Sequence, residues 1–405
     1  MTIRWITDML GTAPAEDIGG LTGVEIVDVR DLVDKAGNRT DAVKEKIQSG
    51  VRHLQNGART VICCDYGISR SNAIAAGIVA LHQRVSFYDA VRLVQEMTGE
   101  TEIKLAPLEV VRLAIEGEIQ NSRRTDGRAV LITGASGFIG TVVRNRMVRE
   151  LDVIAPDRDQ LDIEFGATQL SLLAAEKSVR CIIHLANPRV YTSNVALGKA
   201  LTMLRNVLEV CVTRDIFLIF PSSWEIYSGY RGSLLADEAL PECPSGPYGE
   251  TKYLAELMVR RFRQSSGLRC AIIRSSTVYG PGADRPKFLH NFIKKARSGD
   301  AIITHRYLNG DAALDLLHID DLTEAIAKVC NQEHEGTINL GSGATISTFA
   351  IAEMIKNMIG SNSAIGQTQI DTHMAGIAMD YQKASRLLGW HPEIRLQDWL
   401  KNYLQ

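Results

Sequence analysis

The 405-residue sequence has almost no excess charge: 45 basic residues stand against 47 acidic ones, a formal net charge of -2. That near balance gives no electrostatic case for nucleic acid as a partner. Proline is scarce, at 11 residues, and apolar and charged residues make up 45% and 23% of the chain. This composition excludes a collagen-like, low-complexity or disordered chain. Long hydrophobic runs are missing too: Ala73–Leu81 and Ala271–Ile273 fall far short of the roughly 18–20 residues that span a bilayer. The opening MTIRWITDML has Arg4 and Asp8 where a secretion signal needs an apolar run. A cytoplasmic location with no membrane contact is the expectation. The seven cysteines are odd in number and scattered, without a CxxC or a His/Cys spacing, which argues against a secreted disulfide framework and against zinc. Two of them are adjacent, Cys63–Cys64.

A chain of this length is expected to form two or more domains. The polar stretch Gly117–Gly127 (GEIQNSRRTDG) has no apolar periodicity and ends in an Asp-Gly turn signal. It places a linker near 118–127, giving an expected division into 1–120, a connecting 121–127 and 128–405. Residues 1–117 read as mixed α/β. Gly23–Val29 and Thr60–Cys64 read as strands and Ser71–His82 as an apolar helix. A second helix is expected over Asp41–Leu54, with Thr40 as N-cap and Ala42, Ile47, Val51 and Leu54 on its apolar stripe. After the linker, strands near 128–133, 151–155, 180–185, 216–220 and 269–274 alternate with helices. Alternation of this kind predicts a doubly wound parallel sheet with helices on both faces.

Two local patterns in the second part carry chemistry. TGASGFIG at 133–140 follows a strand and precedes a helical stretch, Thr141–Leu151. This context suits a dinucleotide: Gly134 for the tight turn, Gly137 for close approach to a pyrophosphate, Gly140 for helix–strand packing, and free N–H groups at the helix start. About 20 residues on, Asp157 is placed to accept from the ribose 2′-OH of NAD. Arg158 beside it suits the 2′-phosphate of NADP, so NAD is preferred without closing the alternative. The second pattern is YGETK at 248–252, which sets Tyr248 and Lys252 at i and i+4 on one helix face. An ammonium beside a phenol stabilises the phenolate and makes tyrosine a usable acid–base group.

With these motifs, QLDI at 160–163, HLAN at 184–187, SSWEIY at 222–227, RSSTVYGPG at 274–282, LLHIDDL at 316–322, INLGSG at 338–343 and RLLGWHP at 386–392 run in order along 128–405. This part of the chain resembles the extended short-chain dehydrogenase/reductase family, in its nucleotide-sugar epimerase/dehydratase branch. The resemblance implies a Rossmann-type, doubly wound parallel sheet followed by a small C-terminal substrate-binding part. The resemblance implies Tyr248 as catalytic base, Lys252 as the group that holds the ribose and tunes Tyr248, and Ser223 as an assisting hydroxyl, with Glu225 beside it. It implies a cofactor site built from Gly134, Ser136, Gly137, Phe138, Ile139, Gly140, Asp157, Arg158, Asp162, Leu185 and Lys252, with Asp162 near the adenine. His184 and Trp224 are expected to border the cleft. The implied reaction is oxidation of a sugar carbon by NAD to a keto intermediate that is then reduced again. Dehydratases of the branch carry an Asp–Glu pair after the serine; Trp224–Glu225 here counts against dehydration and leaves epimerase, dehydrogenase and decarboxylase open. Leu314 stands where the family has an arginine that grips the substrate diphosphate. Arg306, Lys287 or Arg274 is then the candidate substitute, or the substrate is a sugar or sugar phosphate without a nucleotide.

The first part holds CDYGISRS at 64–71, between a strand and an apolar helix. Loop N–H groups and the Arg70 fork suit a phosphate monoester, Gly67 gives the loop freedom, and the helix start with Arg70 favours the thiolate of Cys64. Over residues 20–115 the chain resembles the cysteine-dependent tyrosine/dual-specificity phosphatases, an α/β fold. The resemblance implies Cys64 as nucleophile, Arg70 as phosphate ligand, Ser71 as an aid to phosphoenzyme breakdown and Asp34 as general acid, with Asp31 as the alternative. Cys63 replaces the histidine that the family has before the nucleophile, and Asp65 and Tyr66 crowd the mouth. The leading expectation is a bifunctional enzyme, a sugar epimerase/dehydrogenase fused to a phosphatase. The alternatives are an oxidoreductase with a regulatory phosphate-binding domain, and a redox-sensing phosphatase. No metal is expected, and a homodimer is expected by analogy with the fold.

Overall fold

The computed structural model describes residues 3–100, 102–116, 129–188, 193–282 and 286–404. The expected connection 121–127, with Arg123 and Arg124, lies outside the described residues. Two compact units result. One gathers the residues up to Ala129 with Arg158–Arg180 and Asn206–Ile216; the other gathers Val130–Asp157, Cys181–Arg205 and Phe217–Gln405. Among the described residues, no helix is long and apolar enough to cross a membrane.

In the first unit, strands β1 (Arg4–Trp5), β2 (Leu10–Pro14), β3 (Glu25–Asp28) and β4 (Thr60–Cys64) form a sheet in the order β1-β2-β4-β3. β4 pairs in parallel with both β2 and β3, and all five of its residues are buried. Helices α1 (Thr40–Gln55), α2 (Arg70–Gln83), α3 (Phe87–Thr98) and α4 (Leu105–Ile115) complete the core. α2 packs against α1, α3 and α4 as well as β2 and β4, so it is buried all round from Arg70 to Ala80. This explains why its sequence is apolar without a polar face.

The buried stripe of α1 is Val43, Ile47, Gly50 and Leu54, rather than the expected Ala42, Ile47, Val51 and Leu54. Gly50 is the reason: a Cβ there would meet Ile78 Cδ1 at 2.3 Å, so the glycine is the seat for a side chain of α2. Thr40 is the first helical residue, and Arg39 takes the N-cap position without a side-chain bond. Helix α6 (Ala167–Glu176), which falls in the sequence range expected for the second domain, packs on α3 and α4 in the first unit. Thr168 Oγ1 donates to Ile103 O at 2.7 Å, Leu172 joins the unit's core, and Arg214 pairs with Glu109 at 3.1 Å.

The second unit is built on a six-stranded sheet. Its strands are β5 (Ala129–Thr133), β6 (Val153–Ile154), β7 (Val179–His184), β8 (Phe217–Ser223), Cys270–Ser275 and Gly336–Leu340. They lie in the order Gly336–Leu340, Cys270–Ser275, β8, β7, β5, β6. β5 pairs in parallel with β6, and β7 with β8. The strand Cys270–Ser275 pairs in parallel with β8 on one side and with Gly336–Leu340 on the other. The strand order reverses at β5, between β6 and β7, and ligands of open α/β sheets bind beyond the strand ends at such a point. Helix α5 runs from Phe138 to Met147, starting three residues before the expected Thr141–Leu151, because the glycine loop closes directly into it. Helix α7 (Asn194–Arg214) precedes β8, and α8 (Pro247–Ser266) packs against β8 and the strand Cys270–Ser275. A smaller C-terminal part holds strand Ala313–His318 between Thr277–Tyr279 and Thr345–Ser347, over a core that includes Tyr279, Phe292 and Trp399.

Candidate active site and oxyanion loop

In the second unit, a cavity of about 670 Å³ is lined by the glycine loop, the ends of β7 and β8, and the N-terminal half of α8. Gly134 has a φ of +69°, and a Cβ there would meet Ala186 N at 2.6 Å; a Cβ at Gly140 would meet Gly134 O at 2.2 Å. Only glycine fits either place. Gly137 opens α5 without a side-chain cap, which leaves the first N–H groups of the helix available to an anion. Of the residues expected around a dinucleotide, Gly134, Gly137, Phe138, Ile139, Gly140, Leu185 and Lys252 line this cavity. Ser136 is exposed on the loop, Asp157 is exposed after β6, and neither is among the lining residues. Arg158 and Asp162 belong to the first unit, where Arg158 bonds Asp162 at 2.8 Å and Glu164 at 3.1 Å.

Tyr248 and Lys252 share one face of α8 and both line the cavity, as do Ser223, Trp224 and Glu225. The Lys252 ammonium lies 5.8 Å from the centre of the Tyr248 ring and 5.0 Å from that of Phe220, and donates to Pro221 O at 2.8 Å. Burial pulls it down from its ordinary 10.5 to about 8, against a smaller opposite pull from Glu256. Ser223 Oγ accepts from Glu225 N at 3.2 Å, starting a short turn over Trp224–Tyr227. Burial also holds the Glu225 carboxyl above the usual range, so it keeps its proton more readily than a surface glutamate. His184 lines the cavity and bonds Thr133 Oγ1 at 2.9 Å. Burial, with the nearby Lys252 charge, pushes it down to about 3, so this imidazole is neutral.

Beneath these residues lies a network that no local motif signals. Glu256, fully buried one turn beyond Lys252, accepts from Ser222 Oγ and from Arg274 Nη2, the latter at 2.7 Å. Arg274 also bonds Glu242 at 2.6 Å and Tyr227 Oη at 2.6 Å. Burial works against the Arg274 charge, but the two carboxylates outweigh it and hold the guanidinium well above its usual range. Arg274 is therefore committed and does not replace the arginine missing at Leu314. Arg306 pairs with Asp311 at 3.0 Å and is not among the lining residues, whereas Lys287 is. Leu314 packs in the apolar C-terminal core, and its neighbour Asp315 braces Ser342 and Met379 N.

In the first unit, β4 delivers Cys64 to a loop that ends at Arg70, the first residue of α2. Gly67 has a φ of +66°, and a Cβ there would meet Pro14 N at 2.5 Å. The structure brings Cys64, Arg70, Ser71 and Asp34 together: Cys64 Sγ is 3.3 Å from Ser71 Oγ, and Arg70 Nε is 3.7 Å from Asp34 Oδ1. Asp31 pairs with Lys46 at 3.1 Å instead. Arg70 Nη1 donates to Leu32 O at 2.8 Å and Arg30 O at 3.2 Å, while Nη2 bonds Asp65. Burial pushes Cys63, which precedes the loop, up to about 11, with Asp28 adding to the effect.

Comparison with known proteins bears on the second unit. The profile of the NAD dependent epimerase/dehydratase family matches residues 130–341. A putative UDP-glucose 4-epimerase of Methanocaldococcus jannaschii is 28% identical over 305 residues, covering 67% of this chain and 98% of that protein. A UDP-glucuronate 4-epimerase of Thermodesulfobacterium geofontis is 27% identical, covering 67% and 96%. Among solved structures, the UDP-glucose 4-epimerase of Thermus thermophilus in complex with NAD superposes with a TM-score of 0.59 at 21% identity, covering 67% of this chain and 96% of that one. The dTDP-glucose 4,6-dehydratase of Bacillus anthracis in complex with NAD gives 0.60 at 20%, covering 68% and 94%. These structural likenesses concern the fold. Together with the profile match over more than half of its length, the glycine loop and the Tyr248–Lys252 pair on one cavity, they have one conclusion: the chain belongs to the NAD dependent epimerase/dehydratase family.

Proposed function

We propose that the second unit epimerises a sugar substrate by oxidising one carbon and reducing it again, with NAD as the resident cofactor. The observation that carries this reading is the Lys252 ammonium set against the Tyr248 ring in the same cavity as the glycine loop. The residues fit a dinucleotide: Gly134 and Gly140 occupy places where no side chain has room, and the uncapped start of α5 offers N–H groups to a pyrophosphate. NAD, when bound, supplies the acceptor and donor of hydride. Tyr248 Oη takes the substrate hydroxyl proton on oxidation and gives it back on reduction. Lys252 favours the phenolate by its charge and holds the ribose hydroxyls, and Ser223 Oγ positions the reacting oxygen. Glu225 offers a second proton site on the cavity wall. The names of the two curated relatives, a UDP-glucose 4-epimerase and a UDP-glucuronate 4-epimerase, support a hexose-type substrate. With Leu314 apolar and Arg274 committed, Lys287 is the residue to meet a substrate phosphate. The test is thermal stabilisation of the full chain by NAD, then by UDP-hexoses against hexose phosphates in the presence of NAD. Stabilisation by NAD with one substrate class supports the reading, and no response to any dinucleotide refutes it.

A second reading concerns the first unit: we propose that it hydrolyses phosphate monoesters. The observation favouring it is the meeting of Cys64, Ser71, Arg70 and Asp34 at one loop. Cys64 Sγ attacks phosphorus and the ester P–O bond breaks, with the leaving oxygen taking a proton from Asp34. Water, giving a proton to the Asp34 carboxylate, then displaces the sulfur and frees inorganic phosphate. Aryl phosphate release by wild type above that of Cys64→Ser supports it. Equal background rates refute catalysis, and phosphate-induced stabilisation in that case favours a regulatory site.

A further inference from the structure

The guanidinium of Arg70 is surrounded before any ligand arrives. It is 8% exposed and sits at the start of a helix buried on every side. Nη1 is spent on the carbonyls of Leu32 and Arg30, which fix the plane of the group. Nη2 is taken by the carboxylate of Asp65, the residue next to Cys64. Nε is buried without a hydrogen-bond partner, facing Asp34 Oδ1 at 3.7 Å, an oxygen that is also buried and unbonded. Lys104 lies 3.6 Å from the other Asp34 oxygen. A tetrahedral oxyanion is best gripped by two guanidinium N–H groups side by side. Here one of the two that are not held by backbone carbonyls is occupied by a carboxylate of the same chain.

The two carboxylates differ in what they can do. Asp34 has a side chain 30% exposed, and it is tied to both Arg70 and Lys104. The Asp65 side chain is 53% exposed, and its one described bond is to Arg70. It stands on a loop whose neighbours Tyr66 and Ile68 are themselves exposed, so its carboxylate has solvent to turn into. Its pairing with Arg70 resembles what the loop would do with a ligand, an anion held by the guanidinium beside a buried cysteine.

We propose that Asp65 is an internal competitor at the oxyanion site, so that the loop rests self-occupied and a phosphate group binds only by displacing the Asp65 carboxylate from Arg70. This rests on the reading of the loop as a phosphate site and adds its regulation. The consequence is a weak resting affinity for free phosphate. Phosphoesters that can hold the displaced Asp65, through a cationic group beside the phosphate, are selected over plain dianions.

The experiment measures tungstate binding to the full chain by titration calorimetry, for wild type, Asp65→Asn, Asp65→Ser, and Arg70→Lys in each background. Glu45→Gln serves as a control that removes one negative charge from the exposed face of α1. Both Asp65 variants are expected to bind about tenfold tighter than wild type, with the gain lost on Arg70→Lys, which keeps the charge but not the fork. Equal affinity in wild type and both Asp65 variants, with binding still dependent on Arg70, overturns the competitor and leaves the phosphate site standing. Weaker binding in the variants overturns it as well, by making Asp65 a supporting group. A gain that persists in Arg70→Lys or is matched by Glu45→Gln reduces it to general charge and overturns it. No tungstate binding in any variant overturns the competitor together with the phosphate reading.

Discussion

Lys252→Met is expected to stabilise the nucleotide-free protein while removing its chemistry. The ordinary lysine value of 10.5 falls to about 8 in the fold, chiefly through burial. A fall of roughly 2.5 pH units at about 1.36 kcal/mol each makes the buried charge cost about 3 kcal/mol near neutral pH. Methionine keeps most of the apolar stem and removes the ammonium. The hydrogen bond to Pro221 O is lost with it, at about 1 kcal/mol, which leaves a net gain of about 2 kcal/mol. The pH dependence has a definite sign. Between about pH 8 and 10.5 the unfolded chain binds the lysine proton more than the folded one, so wild-type stability rises through that window. Lys252→Met has no such rise, and its advantage shrinks. Urea unfolding followed by tryptophan fluorescence reads this out, because Trp224, Trp390 and Trp399 all belong to the second unit. A stability gap that stays constant from neutral to alkaline pH refutes the reasoning, as does a variant less stable than wild type near pH 7.

Other outcomes follow from the same geometry. Gly140→Ala puts a methyl group 2.2 Å from Gly134 O, so the loop must shift; NAD-induced stabilisation should vanish while the first unit's unfolding is unchanged. Arg274→Met removes the guanidinium bonded directly to the buried Glu256, leaving only Arg260 at 3.9 Å, and should cost about 3–5 kcal/mol in urea unfolding, whereas Arg306→Met, which breaks an exposed pair, should cost under about 1 kcal/mol. In the first unit, Gly50→Val drives a side chain into Ile78 and should lower the unfolding midpoint by an amount corresponding to roughly 1–3 kcal/mol.

What was legible in the sequence is what is local. The glycine loop, the Tyr248–Lys252 spacing and the Cys64–Arg70 loop each lie within eight residues or fewer, where strand, turn and helix geometry fixes the relation of the side chains. The parallel sheet followed from strands alternating with helices. What was not legible depends on partners far apart in the chain. Arg274 looks like a spare cation until Glu242 and Glu256 are seen to enclose it. Gly50 reads as a weak point in a helix until Ile78 is seen to fill its place. Helix α6 is apolar and buried over most of its length, but nothing local in its sequence says that α3 and α4 meet it. The Asp65–Arg70 bond depends on the fold of a five-residue loop, which the spacing of the motif leaves open.

The central claim is that the second unit takes a proton through Tyr248 as a sugar carbon gives its hydride to NAD. A single-turnover experiment tests it most directly. Full-length wild type and Tyr248→Phe, each saturated with NAD, are mixed with the sugar substrate class that stabilises them, and the near-ultraviolet absorbance of reduced nicotinamide is followed. Wild type should show a transient rise, and Tyr248→Phe should slow it by roughly 10²–10⁴-fold with NAD affinity unchanged. Equal transients in the two proteins contradict the account, and so does a wild type that binds NAD and epimerises its substrate with no transient at all.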